Sequence, residues 1–311
     1  HLFLSKGVHI VVPHERFPLR QSIYFDMPDG RMVFAIPRGK ITYIGTTDTQ
    51  YFGDKNNPRT NIEDVEYLLH GTNLIFPEVN LTLEDVESSW AGLRPLIHEE
   101  GKSASEISRK DEIFISDTNL ISIAGGKLTG YRKMAERVVD VVAKKLSKGY
   151  ELKLKKCFTD KITITGGGFK SSEEVKVYAQ KVAASLSPHG IDAYHARYLV
   201  HNYGLQTDQI LAIFAEMETQ NTQNLALAEL QFTLKHEMVH TAMDFFSRRT
   251  GRIYFDIKSI RELSESVLRY LQQYFDWDEA RMQREVAEVQ QTIEEAASFP
   301  PRHETENVPA T

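Results

Sequence analysis

The chain has a single cysteine, Cys157, among its 311 residues, which excludes an internal disulfide and fits a reducing compartment. It has no run approaching the roughly 18 apolar residues that a membrane-spanning helix needs, and no signal-peptide pattern at its start. It also lacks a positive excess: 37 Lys and Arg stand against 43 Asp and Glu, for a formal net charge of −6. That balance argues against nucleic acid as a partner, because nucleic-acid binding needs a clustered basic face. What remains, 41% apolar and 26% charged residues, is ordinary for a globular chain long enough for two domains.

The first 125 residues are mostly strand in pattern. Segments 21–27, 31–36 and 41–46 are rich in Ile, Tyr, Phe and Val and are separated by Pro28-Asp29-Gly30 and Pro37-Arg38-Gly39, the pattern of an antiparallel meander. Asn61, with Asp64 three residues on, opens a helix in which Val65, Leu68, Leu69 and Leu74 share a side. Segments 86–93, 107–115 and 119–124 read as further strands. A Lys-rich bridge over 148–161 then leads to Gly166-Gly167-Gly168, a boundary signal. Segments 173–186, 193–203, 207–218, 225–248, 259–275 and 278–296 are helical in period, with Tyr194, Tyr198, Tyr203, Phe214, Phe245 and Phe246 as expected helical core. A frayed tail is expected from Pro300 onward. The fold class is therefore α+β: a mostly antiparallel sheet region over residues 1–160, then an all-α region over 161–311.

The most informative stretch is Ile121-Ser-Ile-Ala-Gly-Gly-Lys-Leu-Thr-Gly-Tyr-Arg132. Ile121 and Ile123 alternate with small residues, which suits a strand packed on both faces. The strand breaks at Gly125-Gly126 and enters a helix whose apolar positions, from Leu128 through Tyr131, Met134, Val138 and Val142 to Leu146, fall three or four apart. The first turn of such a helix has unpaired N–H groups and the positive end of the dipole, so it favours an anion or a polar ligand edge. A Walker phosphate loop is excluded, because Ile121 and Leu128 stand where it needs Gly and Ser or Thr. A plain strand-to-helix turn with a solvated Lys127 is the competing reading.

Other residues are ambiguous alone. His9 interrupts the apolar run Val8-His-Ile-Val-Val12 and reads equally as a packed histidine. Isolated arginines such as Arg94, beside Pro95, and Arg109 are more often surface ion-pair partners than ligands. His236-Glu237-Met-Val-His240 satisfies the H-E-x-x-H pattern of a zinc protease, with Glu262 or Glu265 as an imaginable third ligand. It lies in an all-helical region with no strand beside it to form a substrate cleft, so we expect no metal.

Taken together, Lys6-Gly-Val-His-Ile-Val-Val-Pro13, Ile44-Gly-Thr-Thr-Asp48, Trp90-Ala-Gly-Leu-Arg-Pro-Leu96, Ile107-Ser-Arg109 and Gly125-Gly-Lys-Leu-Thr-Gly-Tyr-Arg132 occur in order. They resemble the substrate-side half of the FAD-dependent glycerol-3-phosphate dehydrogenases, within the wider fold group of the D-amino-acid oxidases. Arg197-Tyr-Leu-Val-His-Asn-Tyr-Gly204 and Asp244-Phe-Phe-Ser-Arg-Arg-Thr250 resemble that family's C-terminal helical domain. The family's dinucleotide-binding G-x-G-x-x-G turn has no counterpart here. The expectation is thus a C-terminal fragment, with the last strand and helix of an FAD domain, inactive and without bound FAD on its own.

The resemblance implies the following roles. His9 is the base that takes the hydroxyl proton, since oxidation of a secondary alcohol requires its loss as hydride leaves carbon. Arg94 lies near the reacting hydroxyl, and Arg109 and Lys127 bind the substrate phosphate. Gly125, Gly126, Leu128 and Thr129 present N–H groups to the flavin ring, where negative charge collects on reduction. Thr47 and Asp48 match a family motif, though turn chemistry explains them equally. The implied reaction is oxidation of sn-glycerol 3-phosphate to dihydroxyacetone phosphate with a quinone as acceptor; the alternative is the related oxidase that uses oxygen. The compact span between Arg109 and Lys127 favours the dehydrogenase. The implied setting is cytoplasmic, with peripheral contact at the cytoplasmic face of the membrane and a homo-oligomer as a further expectation. A different class of function, a helical module for membrane or partner binding, stays open on helices such as 259–275, whose leucines core packing also explains.

Overall fold

The structure is a computed structural model and describes residues 2–97 and 111–301. Its organising strand is β1 (Leu2–Pro13). The meander β2 (Ile23–Asp26), β3 (Met32–Arg38) and β4 (Ile41–Gly45) follows it, then the short β5 (Thr49–Gln50). Helix α1 (Ile62–Ile75) leads to β6 (Ser88–Ile97). The sheet runs β2-β3-β4-β1, with β5 on the early part of β1 and β6 along its other edge, and every pairing is antiparallel.

Strand residues alternate between faces, and one face of this sheet is apolar. Val8, Ile10 and Val12 join Phe25, Val33, Ala35 and Ile44 in a core with Val65, Leu68 and Leu69 of α1. Leu74 is 54% exposed instead; at about 100° per residue it stands half a turn round from Val65. Asn61 caps α1 as expected: its Oδ1 accepts from the Asp64 N–H at 3.0 Å, and Asp64 Oδ2 accepts from the Asn61 N–H at 3.3 Å. The same carboxylate meets Lys6 Nζ at 2.8 Å, both side chains almost fully buried. The helix start is thereby tied by charge to β1.

Past β6, β7 (Asp111–Ile115) and β8 (Ile121–Gly125) form a separate two-stranded antiparallel hairpin. A tight turn at Leu128–Gly130 leads into α2 (Tyr131–Tyr150). The expectation of a strand packed on both faces is not met, while the helix expected from the apolar spacing is present. Ile121 and Ile123 are half-buried, no α2 residue is fully buried, and Leu128, Tyr131 and Val139 are exposed.

The remaining elements are helical: α3 (Ser172–Leu186), α4 (Ala193–Tyr203), α5 (Thr207–Ala215), α6 (Thr222–His236), α7 (Arg252–Phe255), α8 (Ile257–Phe275) and α9 (Glu279–Ala297). The helix expected over 225–248 is broken. Glu237 ends α6, Met238 takes φ +57°, and a π-helical turn spans Asp244–Arg249. The expected frayed end is also corrected up to residue 301. Phe299 packs into the sheet core and the Pro300 carbonyl accepts from the Ile62 N–H at 3.1 Å.

One charged cluster joins the helices. Glu229 accepts from the Tyr198 and Tyr203 hydroxyls, each at 2.7 Å, and pairs with Arg252 at 2.8 Å. Burial, then the Glu229 charge, pushes both phenols well above their ordinary range, which keeps them as O–H donors. Glu229→Gln leaves the buried Arg252 charge uncompensated and is expected to cost about 3–5 kcal/mol. Urea denaturation should show most of that loss recovered in Glu229→Gln/Arg252→Met; a single variant as stable as the parent would mean the pair holds nothing together.

Candidate functional site

The face of the sheet opposite α1 carries polar and aromatic groups. His9 on β1 pairs in register with Gly45 on one side and Trp90 on the other. Its ring stacks on Trp90 with centroids 4.9 Å apart and an interplanar angle of 15°, and Phe34 and Tyr43 stand 5.5 and 6.1 Å away. The imidazole lies directly over Gly45, where a Cβ would collide with it. Two residues along β1, Gly7 makes the same room for Arg94: a Cβ there would fall 2.5 Å from Nη2. Glycine is needed at both places for space.

Arg94 is held from several directions. Nη2 donates to Thr46 Oγ1 at 2.9 Å, Nη1 donates to the Thr47 carbonyl at 3.3 Å, and the Asp48 carboxylate lies 3.5 Å away. Asp48 in turn accepts from the Ser5 hydroxyl. Thr47 Oγ1 accepts from the Val8 N–H at 3.0 Å and is fully buried. The Ile44–Asp48 segment therefore clamps an arginine.

Burial, and then the nearby Arg94 charge, pushes the His9 imidazole down to about 4. The ring is neutral at physiological pH, able to take a proton and unable to give one. The sequence shows neither the stacking on Trp90 nor the adjacent guanidinium. Its Nδ1 is buried with no hydrogen-bond partner among the described residues.

The Gly125–Thr129 turn stands at the end of β8, which packs beside the Arg94-bearing β6. Gly125 and Gly126 take φ of +79° and +82°, a left-handed backbone that favours glycine. Among the described residues no side chain caps the turn that begins at Leu128, and the Gly130 N–H donates to the Lys127 carbonyl at 2.8 Å. Lys127 is exposed with no ion-pair partner among the described residues. Arg109 lies outside the described residues.

The H-E-x-x-H segment fails geometrically. Helix α6 ends at His236, so Glu237 and His240 share no helical face with it, and His240 stacks on Phe275 at 5.8 Å. Among the described residues no group of His, Cys, Asp and Glu could hold a metal. No helix there is long and apolar enough to cross a membrane. The basic pair Arg248-Arg249 is internally engaged, with Asp244 and with the Glu237 carbonyl. Sequence reasoning missed Ser5, Thr46 and Trp90; the alternation around His9, with glycines at 7, 45 and 92 on or beside its strand, was the available signal.

Residues 1–131 match the FAD dependent oxidoreductase family, and residues 157–282 match the C-terminal domain of alpha-glycerophosphate oxidase. The aerobic glycerol-3-phosphate dehydrogenase of Bacillus subtilis (strain 168) is 44% identical over 300 residues, which is 95% of this chain and 54% of the relative. The enzyme of the same name from Staphylococcus aureus (strain MRSA252) is 44% identical over 299 residues, with the same coverage. The X-ray structure of the glycerol-3-phosphate dehydrogenase from Bacillus halodurans complexed with FAD superposes with a TM-score of 0.83 at 43% identity, covering 98% of this chain and 59% of that one. This chain thus spans little more than half the length of the relatives it matches. Along its length the chain is similar first to the FAD dependent oxidoreductases and then to the C-terminal domain of alpha-glycerophosphate oxidase.

Proposed function

We propose that this chain supplies the substrate-facing half of a flavoenzyme that oxidises glycerol 3-phosphate to dihydroxyacetone phosphate and passes the electrons to a quinone. The observation that carries the reading is the pairing of a neutral, stacked His9 with a clamped Arg94 on one sheet face. We divide the chain at residues 160 and 161, and read 161–311 as a helical domain. The dehydrogenase is favoured over an oxidase by the names of the relatives and by the short turn between β7 and β8. A quinone acceptor implies contact with the cytoplasmic face of a membrane.

FAD fits the residues present. The uncapped turn at Gly125, Gly126, Leu128 and Thr129 would face the flavin ring, and bound FAD would supply the hydride acceptor. His9 takes the substrate hydroxyl proton on a ring nitrogen; its low proton affinity keeps that nitrogen unprotonated and makes it a weaker base than an ordinary imidazole. Arg94 stabilises the alkoxide charge that develops as that proton leaves. Thr46, the Thr47 backbone and Asp48 orient Arg94 and need not touch substrate. Lys127 and Arg109 attract the phosphate.

In the full-length enzyme, His9→Asn and Arg94→Met should each lower kcat by about 10²–10³-fold. Lys127→Ala should raise KM for glycerol 3-phosphate far more than for glycerol, because a charged phosphate contact is lost. Steady-state dye reduction measures both; equal losses on the two substrates would remove Lys127 from the phosphate.

The 311-residue chain alone should purify colourless and reduce no dye with glycerol 3-phosphate. A helix N-terminus contributes on the order of 0.3–2 kcal/mol, far below the roughly 8 kcal/mol of micromolar binding. A yellow preparation with stoichiometric flavin absorbance contradicts this.

Protonation of His9 also couples to stability. Its folded value, about 4, lies below the ordinary 6.5, so the unfolded chain binds the extra proton. The stabilisation is full above pH 6.5 and is lost as pH falls toward 4, by about 3 kcal/mol in all. Denaturation midpoints measured across that range should fall in the parent and flatten in His9→Phe.

A further inference from the structure

Between the sheet and the helices lies a cleft of about 800 Å³ that the His9 site does not use. That volume is typical of a small-molecule site. The β3–β4 turn forms one side, with Arg38 and Tyr43, and α4 forms the other, with Tyr194 and Arg197. Phe255 also lines it, as do residues 164–167 and Phe169, a segment held where the Leu205 N–H donates to the Gly166 carbonyl at 3.0 Å.

The charges around it do not balance. Arg252 at the back is matched by Glu229. Arg38 and Arg197 are both exposed, and neither has an ion-pair partner among the described residues. Asp256 is the carboxylate lining the cleft, and it serves as the N-cap of α8, accepting from the Ser259 N–H at 3.3 Å. Two unpaired guanidinium groups against one carboxylate leave the mouth positive. The guanidinium carbon of Arg38 lies 3.9 Å from the centre of the Phe255 ring, a cation–π contact that places the charge at the cleft without a carboxylate partner among the described residues. The buried Arg252 Nε, on the cleft's back wall, has no partner among the described residues.

We infer that this cleft is a second binding site, for an organic anion whose aromatic or heteroaromatic ring lies among Tyr43, Tyr194 and Phe255 while its anionic group meets Arg38 and Arg197. Each half of that ligand has a counterpart in the lining: the rings offer stacking surface and the two arginines offer positive charge. The site is separate from the catalytic face, since Tyr43 and Phe255 stand between it and His9 and Trp90. It therefore does not depend on the proposed oxidation.

Adenosine monophosphate, which joins a ring to a phosphate, is a suitable probe, with adenosine and inorganic phosphate as its separated parts. Calorimetric titration of the full 311-residue chain should show adenosine monophosphate binding at least tenfold more tightly than either part. Arg38→Ala and Arg197→Ala should each weaken it about tenfold, equivalent to 1.4 kcal/mol, with unchanged circular dichroism because both side chains are exposed. Lys127→Ala, at the flavin-facing turn, should leave it unchanged. Binding that survives both arginine substitutions, that is lost with Lys127→Ala, or that inorganic phosphate matches on its own would overturn the assignment, as would no heat at millimolar ligand.

Discussion

Strand β1 has to satisfy two surfaces of opposite chemistry, and the two-residue repeat of an extended chain does so. Val8, Ile10 and Val12 are committed to the apolar core under α1. Their neighbours Gly7 and His9 then necessarily face the other way, beneath the guanidinium of Arg94 and beside Trp90. A slip of one residue would bury the imidazole among leucines and expose the valines, so core packing enforces the register of the site. The Lys6–Asp64 pair adds a directional lock, because a buried charge has few acceptable partners.

That dependence explains what could be read in the sequence. The meander, the Asn61 cap and most helices follow from local pattern and turn chemistry, and the structure keeps them within a few residues. The break after His236 was hidden, since 225–248 retains apolar spacing while Met238 takes a left-handed backbone. His9, Arg94 and the Gly125–Thr129 turn were found through ordered motifs; their individual letters carry no chemistry. The depressed imidazole and the clamp on Arg94 arise from residues far apart in sequence, at separations that periodicity does not see.

The clamp shows how a long, flexible side chain is held in one place. An unconstrained arginine samples many rotamers, and ordering it on substrate binding would consume binding energy. Thr46, the Thr47 carbonyl and Asp48 meet that cost during folding. The His9 imidazole is kept neutral by burial first and by the Arg94 charge second.

The closing segment of the described chain has a mechanical consequence. The helices leave the sheet through the stretch near Gly166 and come back to it at Phe299 and Pro300, which dock beside α1. Glu87 with Lys258, Arg59 with Glu295 and Ser89 with the Ala296 carbonyl cross the same seam. A unit fastened at its entry and its exit cannot swing outward like a door on one hinge. Separation would first have to extract the partly buried Phe299 from the edge of the sheet core and break the strap's hydrogen bond to Ile62. The motion left to the two halves is a small torsion about the seam, a rigid-body freedom that preserves both attachments.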